Sequence, residues 1–406
     1  MPIGIKPILS TWLAGLAVRR FAGCRLWAVS LLVAGAVAIS GCATMAPVGE
    51  PLQASASFGA LQLFQDTQSP LLLPDKATIS GDQVLPKTSK RDHDVLVLSG
   101  GGSHGAFGAG MMVGWTASGK RPEFEIVTGV STGALIATFA FLGPQWDGKL
   151  QQFYTNISND QIYIDRGIGG FFEESLYDTA PLKSLIDKVV DERMLEAVAA
   201  EHGKGRRLYV ATTDLDAGQV VVWDMGGIAA SDHPTRLELY RRILLSSSAL
   251  PGLFEPVYIP GKDGQAHMHV DGGVKAPILL RSFMVGSQKA RRTVYVLVNG
   301  KLSLTSEAPP VVANFKNISL RSISELMRGL FYKTIYQGYV TTRNAGGKFR
   351  IAYLPDEVPT GNALEFHKKE MRQLFQVGYR MGLDPKSWAK EPPRLEPLER
   401  VKEAKR

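Results

Sequence analysis

Cysteine is nearly missing from this sequence: Cys24 and Cys42 are the only two in 406 residues, and both lie near the N-terminus. Everything after Cys42 must therefore fold without a disulfide or a cysteine-bound metal. Acidic residues are missing from residues 1–41, where Lys6, Arg19, Arg20 and Arg25 stand alone and account for four of the eight excess positive charges. The remaining basic excess is mild and scattered, without the clustered stripe of a nucleic-acid-binding surface. No internal repeat or low-complexity block is evident. No apolar run reaches the roughly 20 residues that a bilayer span needs. What remains, at 45% hydrophobic residues, is enough to bury a substantial core.

The apolar run Leu26–Ile39 follows three arginines and closes on Ser40-Gly41-Cys42. A basic start, a short apolar stretch and a small-residue ending describe a secretory signal with a cleavage site. The ending resembles the bacterial lipobox, which implies that residues 1–41 are removed and that Cys42 is lipidated. Ala43 does not resemble the aspartate retention signal of inner-membrane lipoproteins, so the expected location is the outer membrane, facing the periplasm. Residues 42–91, rich in Ala, Pro, Ser, Thr and Gln, suit a tether between that cysteine and a folded domain over 92–385. Residues 386–406 read as a charged tail.

From Asp92 onward strand-like runs alternate with helical ones, the pattern of an α/β fold with a mainly parallel central sheet flanked by helices. Helical spacing is expected over 182–190, 237–245 and 318–330, with a last helix marked by Phe366, Leu374 and Phe375. Residues 207–215 and 219–223 read as two strands joined by a turn. Residues 293–298 are apolar on both faces and so belong inside the sheet.

Two strand-glycine-helix units stand back to back between Asp94 and Phe141. The second contains Gly129-Val130-Ser131-Thr132-Gly133, a G-x-S-x-G string between a strand and a helix, the context in which a serine becomes an exposed nucleophile. The first contains Gly100-Gly101-Gly102-Ser103-His104-Gly105. It can be read as a loop of backbone N–H groups for a developing negative charge, or as a dinucleotide fingerprint. The dinucleotide reading expects an acid at the end of the second strand; here Glu123 and Glu125 stand at its start, and the serine occupies its end. A serine needs a base. Asp271-Gly272-Gly273 supplies a carboxylate after a strand whose alternation puts His267, His269 and Asp271 on one face. The two histidines can be a metal pair, a triad member or strand packing, and packing is favoured because no third ligand is near. Asp214 and Asp216 sit in a turn-like context, and His367 in a charged helix.

In this order the three motifs resemble those of the patatin-like phospholipase family. The resemblance extends to Ser175–Leu182, Thr213–Gly218 and Ser248–Pro256, covering about residues 92–300. It implies a three-layer patatin-like fold and a Ser131–Asp271 dyad that uses no histidine, cofactor or metal. It further implies an oxyanion hole from the amides of Gly101, Gly102 and Thr132, with Gly100, Gly105, Gly129, Gly133, Gly272 and Gly273 as motif glycines. The substrate implied is an acyl lipid, phospholipid foremost, and the membrane is met through the N-terminal anchor. His104 departs from the family, which carries Arg or Lys there: if that cation supports the loop or binds lipid phosphate, the histidine makes the support weaker or pH-dependent and leaves headgroup preference open. Otherwise it is an ordinary residue at a helix N-terminus. Two other readings remain: a histidine-dependent esterase, and an envelope lipoprotein that binds a lipid or a partner with little turnover.

Overall fold

The structure is a computed structural model that describes residues 93–260, 265–285, 292–302 and 310–393, with backbone alone at 168, 171, 315 and 316. The expected leader, Cys42 and tether lie outside the described residues, as does the chain beyond 393. In order, the elements are β1 (His93–Leu98), α1 (Gly105–Ala117), β2 (Ile126–Gly129), α2 (Thr132–Leu142), α3 (Asp147–Asn156), β3 (Ile164–Asp165), β4 (Tyr177–Asp178), α4 (Ala180–Val189) and α5 (Glu192–Gly203). Then come β5 (Arg207–Asp214), β6 (Gln219–Asp224), α6 (Met225–Ala229), α7 (Arg236–Ser247), β7 (Val257–Pro260), β8 (Ala266–Asp271) and α8 (Ser282–Val285). The last are β9 (Arg292–Val298), α9 (Phe315–Asn344), β10 (Lys348–Tyr353) and α10 (Lys368–Leu383).

Eight strands form one sheet in the order β10-β9-β1-β2-β5-β8-β7, with β6 also paired to β5. The pairs from β10 to β5 are parallel, and β6, β7 and β8 are joined antiparallel. Strand alternation divides the core between two faces. Leu96 and Leu98 pack into one apolar cluster with α1, α2 and α10, while Val95 and Val97 pack into another with α8 and the C-terminal half of α9. The result is a helix-sheet-helix sandwich, the α/β architecture expected. Strand β9 lies between β10 and β1, which explains its apolar residues on both faces.

Helices α1 and α10 cross backbone to backbone. A Cβ at Gly110 would stand 2.0 Å from Phe375 O, and one at Gly378 would stand 2.0 Å from Phe107 O. Any larger residue would push the helices apart.

Three expectations need correction. The helix expected at 318–330 runs from Phe315 to Asn344, because Tyr332, Ile335 and Thr342 extend its contact with the sheet. Phe366 and His367 precede the last helix instead of lying in it, and His367 is its exposed N-cap. Packed structure also passes the expected end at 385: Trp388 is buried against Trp115, Ala389 bridges Ile351, and Tyr336 Oη donates to Pro393 O.

Candidate active site

Strand β5 brings together residues far apart in sequence. Its start pairs with β2, placing Gly129 beside Val210, and its end pairs with β8, placing Asp271 beside Thr212. Strand β6 runs along Tyr209–Asp214, so β2 and β8 share the opposite edge of β5 and meet end to end. Two residues of strand span about 7 Å. The chain leaving β2 at Gly129 therefore carries Ser131 directly to the end of β8. The junction is tight: a Cβ at Gly272 would stand 2.4 Å from Ala211 O and 3.1 Å from Val130 Cγ1.

Ser131 is the one non-glycine residue with positive φ among the described residues, at φ 57° and ψ −132°. Such a conformation costs on the order of 1–3 kcal/mol and persists only when surroundings enforce it. The Ser131 N–H donates to buried Ser247 Oγ at 2.9 Å, and that hydroxyl donates to Ala211 O on β5 at 2.8 Å. Ser131 is also the N-cap of α2, so its hydroxyl stands at the positive end of a helix.

Asp271 is 3% exposed. Its carboxylate accepts the Gly273 N–H at 2.7 Å, and the Ser131 hydroxyl stands beside it. Burial pushes its pKa up to about 6, and the neighbouring Ser131 hydroxyl and Gly273 N–H pull the other way without cancelling the rise. No histidine is among the groups acting on this carboxylate. His267 pairs through Nδ1 with Asp214 Oδ2 at 2.8 Å, and His269 Nδ1 shares a hydrogen bond with Thr212 Oγ1 at 2.9 Å. Burial pushes His269 down to about 4, so the ring is neutral at pH 7. Asp214 and Asp216 accept the amides of Ala217 and Met268, which shapes the β5–β6 turn and its neighbour. His367 is exposed and pairs with Glu365. Among the described residues no three potential metal ligands cluster.

The first glycine turn faces the serine. Gly100 lies so close that a Cβ there would be 3.1 Å from Ser131 Cβ. Gly102, at φ 54°, has a left-handed conformation, and its missing Cβ would meet Ala363 O at 2.1 Å. The Ser103 N–H donates to Ala363 O and the His104 N–H to Gly101 O. The amides of Gly101, Gly102 and Thr132 donate to no other group among the described residues. Asn299 braces the loop from behind, with Nδ2 donating to Ser99 O at 2.7 Å and its amide donating to Ser99 Oγ at 2.9 Å. Thr132 is fixed by buried Tyr154, whose hydroxyl lies 2.6 Å from Thr132 Oγ1 and donates to Thr132 O at 3.0 Å. His104 Nε2–H donates to Gly361 O at 3.3 Å, and burial lowers its pKa, so no cation stands there at neutral pH.

Gly100, Gly101, Gly102, Ser131, Thr132, Asp271 and Gly273 all line one cavity of about 370 Å³. Away from these residues its walls are mostly apolar, with Leu135, Phe153, Ile157, Leu182, Phe254, Met327, Phe331 and Phe366 among them. The other motif glycines stand behind the lining. Gly105 faces Thr132 and Tyr154, a Cβ at Gly129 would meet Gly133 O at 2.3 Å, and one at Gly133 would meet Leu98 O and Ser99 O at 2.5 Å. Sequence reasoning missed Ser247, Asn299, Tyr154 and the 361–366 segment. Asn299 follows an interior parallel strand at its C-terminal end, where α/β sheets place their sites, and that rule could have found it.

Residues 96–284 match the family described as patatin-like phospholipase. That match spans a little under half of the chain and takes in all three of the glycine-bearing motifs, Gly100–Gly105, Gly129–Gly133 and Asp271–Gly273. Among solved structures, the chain is similar to VipD from Legionella pneumophila at 13% identity and a TM-score of 0.38, covering 73% of this chain and 67% of that one. It is also similar to the type III effector protein ExoU at 12% identity and a TM-score of 0.25, covering 72% of this chain and 52% of that one. No curated protein matches the sequence.

Proposed function

We propose that this chain cleaves carboxylic ester bonds of acyl lipids through an acyl-enzyme on Ser131. The Ser131 hydroxyl attacks the ester carbonyl and passes its proton to Asp271. The negative charge that develops on the carbonyl oxygen is met by the amides of Gly101, Gly102 and Thr132. Collapse of the tetrahedral species expels the alcohol, which takes the proton from Asp271. Water then attacks the acyl-enzyme, giving a proton to Asp271, and collapse of the second tetrahedral species releases the fatty acid as Asp271 returns that proton to Ser131 Oγ. The oxyanion step carries a large share of the rate, since one such donor is worth about 2.7–4 kcal/mol.

The observation that carries this reading is a strained serine beside a buried carboxylate of raised pKa, both opening into an apolar cavity. An exposed aspartate would be too weak a base for a hydroxyl, and burial supplies the missing basicity. An apolar cavity suits an acyl chain, with polar groups confined to the reacting end. Cys42 belongs to the same proposal as a lipidated residue at the bacterial outer membrane, supported by its lipobox-like context. The test is a panel of phospholipids and neutral acyl esters with purified protein, alongside Ser131→Ala and Asp271→Asn. Wild type should release fatty acid and both variants should not; turnover retained by either variant contradicts the dyad.

A further inference from the structure

Helix α9 is divided along its length. From Val311 to Phe331 no described side chain is buried, whereas Tyr332, Ile335 and Thr342 further along are buried against the sheet. The exposed half lies over the cavity, lining it with Ser324, Met327, Arg328 and Phe331. Successive helical residues advance by about 100°, so Ile318, Ser322, Leu326 and Gly329 fall on the face turned away from that lining. This outward face is apolar or small. Ile318 is 51% exposed and Leu326 74%, with Val312 at 67% just before the helix. Glu325 is the helix's one acidic residue, and both Arg321 and Arg328 pair with it, at 3.0 and 2.5 Å. Lys333 and Arg343 leave the helix with net positive charge.

We propose that the outward face of α9, from Ile318 to Gly329, docks on a lipid bilayer carrying anionic headgroups. Three observations select this occupant. Apolar side chains without an unpaired carboxylate, on a basic helix, describe a segment that lies in a membrane interface. Basic charge is drawn to anionic lipid surfaces over about a Debye length. The same helix borders the acyl cavity, so seating it on the bilayer brings the cavity mouth to the lipid. A second copy of the chain fits less well, because a two-fold contact across this face would set like charges of the two helices against each other. The proposal rests on the acyl-lipid reading for its choice of partner.

The experiment uses the full chain with Cys24→Ser and Cys42→Ser, so that no lipid is attached. Leu326→Cys carries an environment-sensitive dye, and a second protein carries the dye at Glu196→Cys on α5. The probes are vesicles of phosphatidylcholine with or without phosphatidylglycerol. The dye at 326 should shift to shorter wavelength with the anionic vesicles and much less with the neutral ones, while the dye at 196 stays unchanged. Ile318→Ser with Leu326→Ser should weaken partitioning into anionic vesicles about tenfold or more. Hydrolysis of a soluble short-chain ester should stay within about twofold of wild type. An unshifted dye at 326, equal shifts at 326 and 196, or a shift that follows protein concentration without vesicles would overturn the proposal. Vesicle binding does not require Ser131, so a dye response without ester turnover would sink the hydrolase reading and leave the docking surface standing.

Discussion

The two glycine turns of the site are alike in sequence and opposite in how they are held. In the first, Gly100–Gly105, the one side chain that ties the turn to the rest of the molecule, among the described residues, is His104, through Gly361 O. Asn299, Ala363 and Gly361 fix it from far along the chain. The second, Gly129–Gly133, carries its strain on a real side chain, Ser131, and is held by Ser247, with the buried Asp271 carboxylate beside its hydroxyl. A turn that presents N–H groups must be bare, and its rigidity is therefore borrowed. A turn that presents a hydroxyl must keep a Cβ in an unfavourable conformation, and its strain must be opposed.

The largest effect belongs to the second turn. Ser131→Ala and Asp271→Asn should each lower kcat by about 10⁴-fold or more while the circular dichroism of the fold is kept. Asp271→Asn makes a further point. The folded carboxyl titrates at about 6 against an ordinary 3.8, so between these values the folded state holds the extra proton. The contribution of Asp271 to stability therefore declines as pH rises through that window. Above pH 6 the variant, which cannot ionise, should unfold at a higher denaturant concentration than wild type; an unchanged midpoint would show that the buried charge costs nothing.

Next come the braces. Asn299→Ala removes the contacts behind the first turn and should cost about 100-fold in kcat with KM little changed. Ser247→Ala removes one hydrogen bond from the second turn and should cost about tenfold. A reversed order would mean that the first turn holds itself. A smaller effect is set by pH. Activity needs Asp271 ionised, so kcat/KM should rise with pH, reach half its maximum near 6 and then level. A half-point near 3.8 would contradict the burial of the base. Smallest is His104→Arg, which puts a cation beside Gly361. It should alter the ratio of anionic to zwitterionic phospholipid hydrolysed by about threefold or less, measured as paired initial rates.

Much of this comparison was legible before any coordinates. Both turns, the strand before each and the α/β alternation follow from local pattern, because glycine clusters after apolar runs have few other uses. Asp271 was legible only as part of a set, since an aspartate before two glycines is usually just a turn residue. The register that closes residues 131 and 271 was not legible. It depends on β2 and β8 sharing one edge of β5, which no local sequence dictates. The braces were hidden for the same reason: Gly361 and Ala363 act through backbone carbonyls, which any residue possesses. The length of α9 was underestimated because its two halves meet different surroundings and so share no single apolar stripe.

The central claim is that Ser131 becomes the acylated nucleophile. Its most direct test is intact-protein mass spectrometry after exposure to a fluorophosphonate, with the modified peptide mapped. One adduct on Ser131 is expected in wild type, none in Ser131→Ala, and much slower formation in Asp271→Asn. An unmodified protein, an adduct on another residue, or an undiminished rate in Asp271→Asn would contradict it.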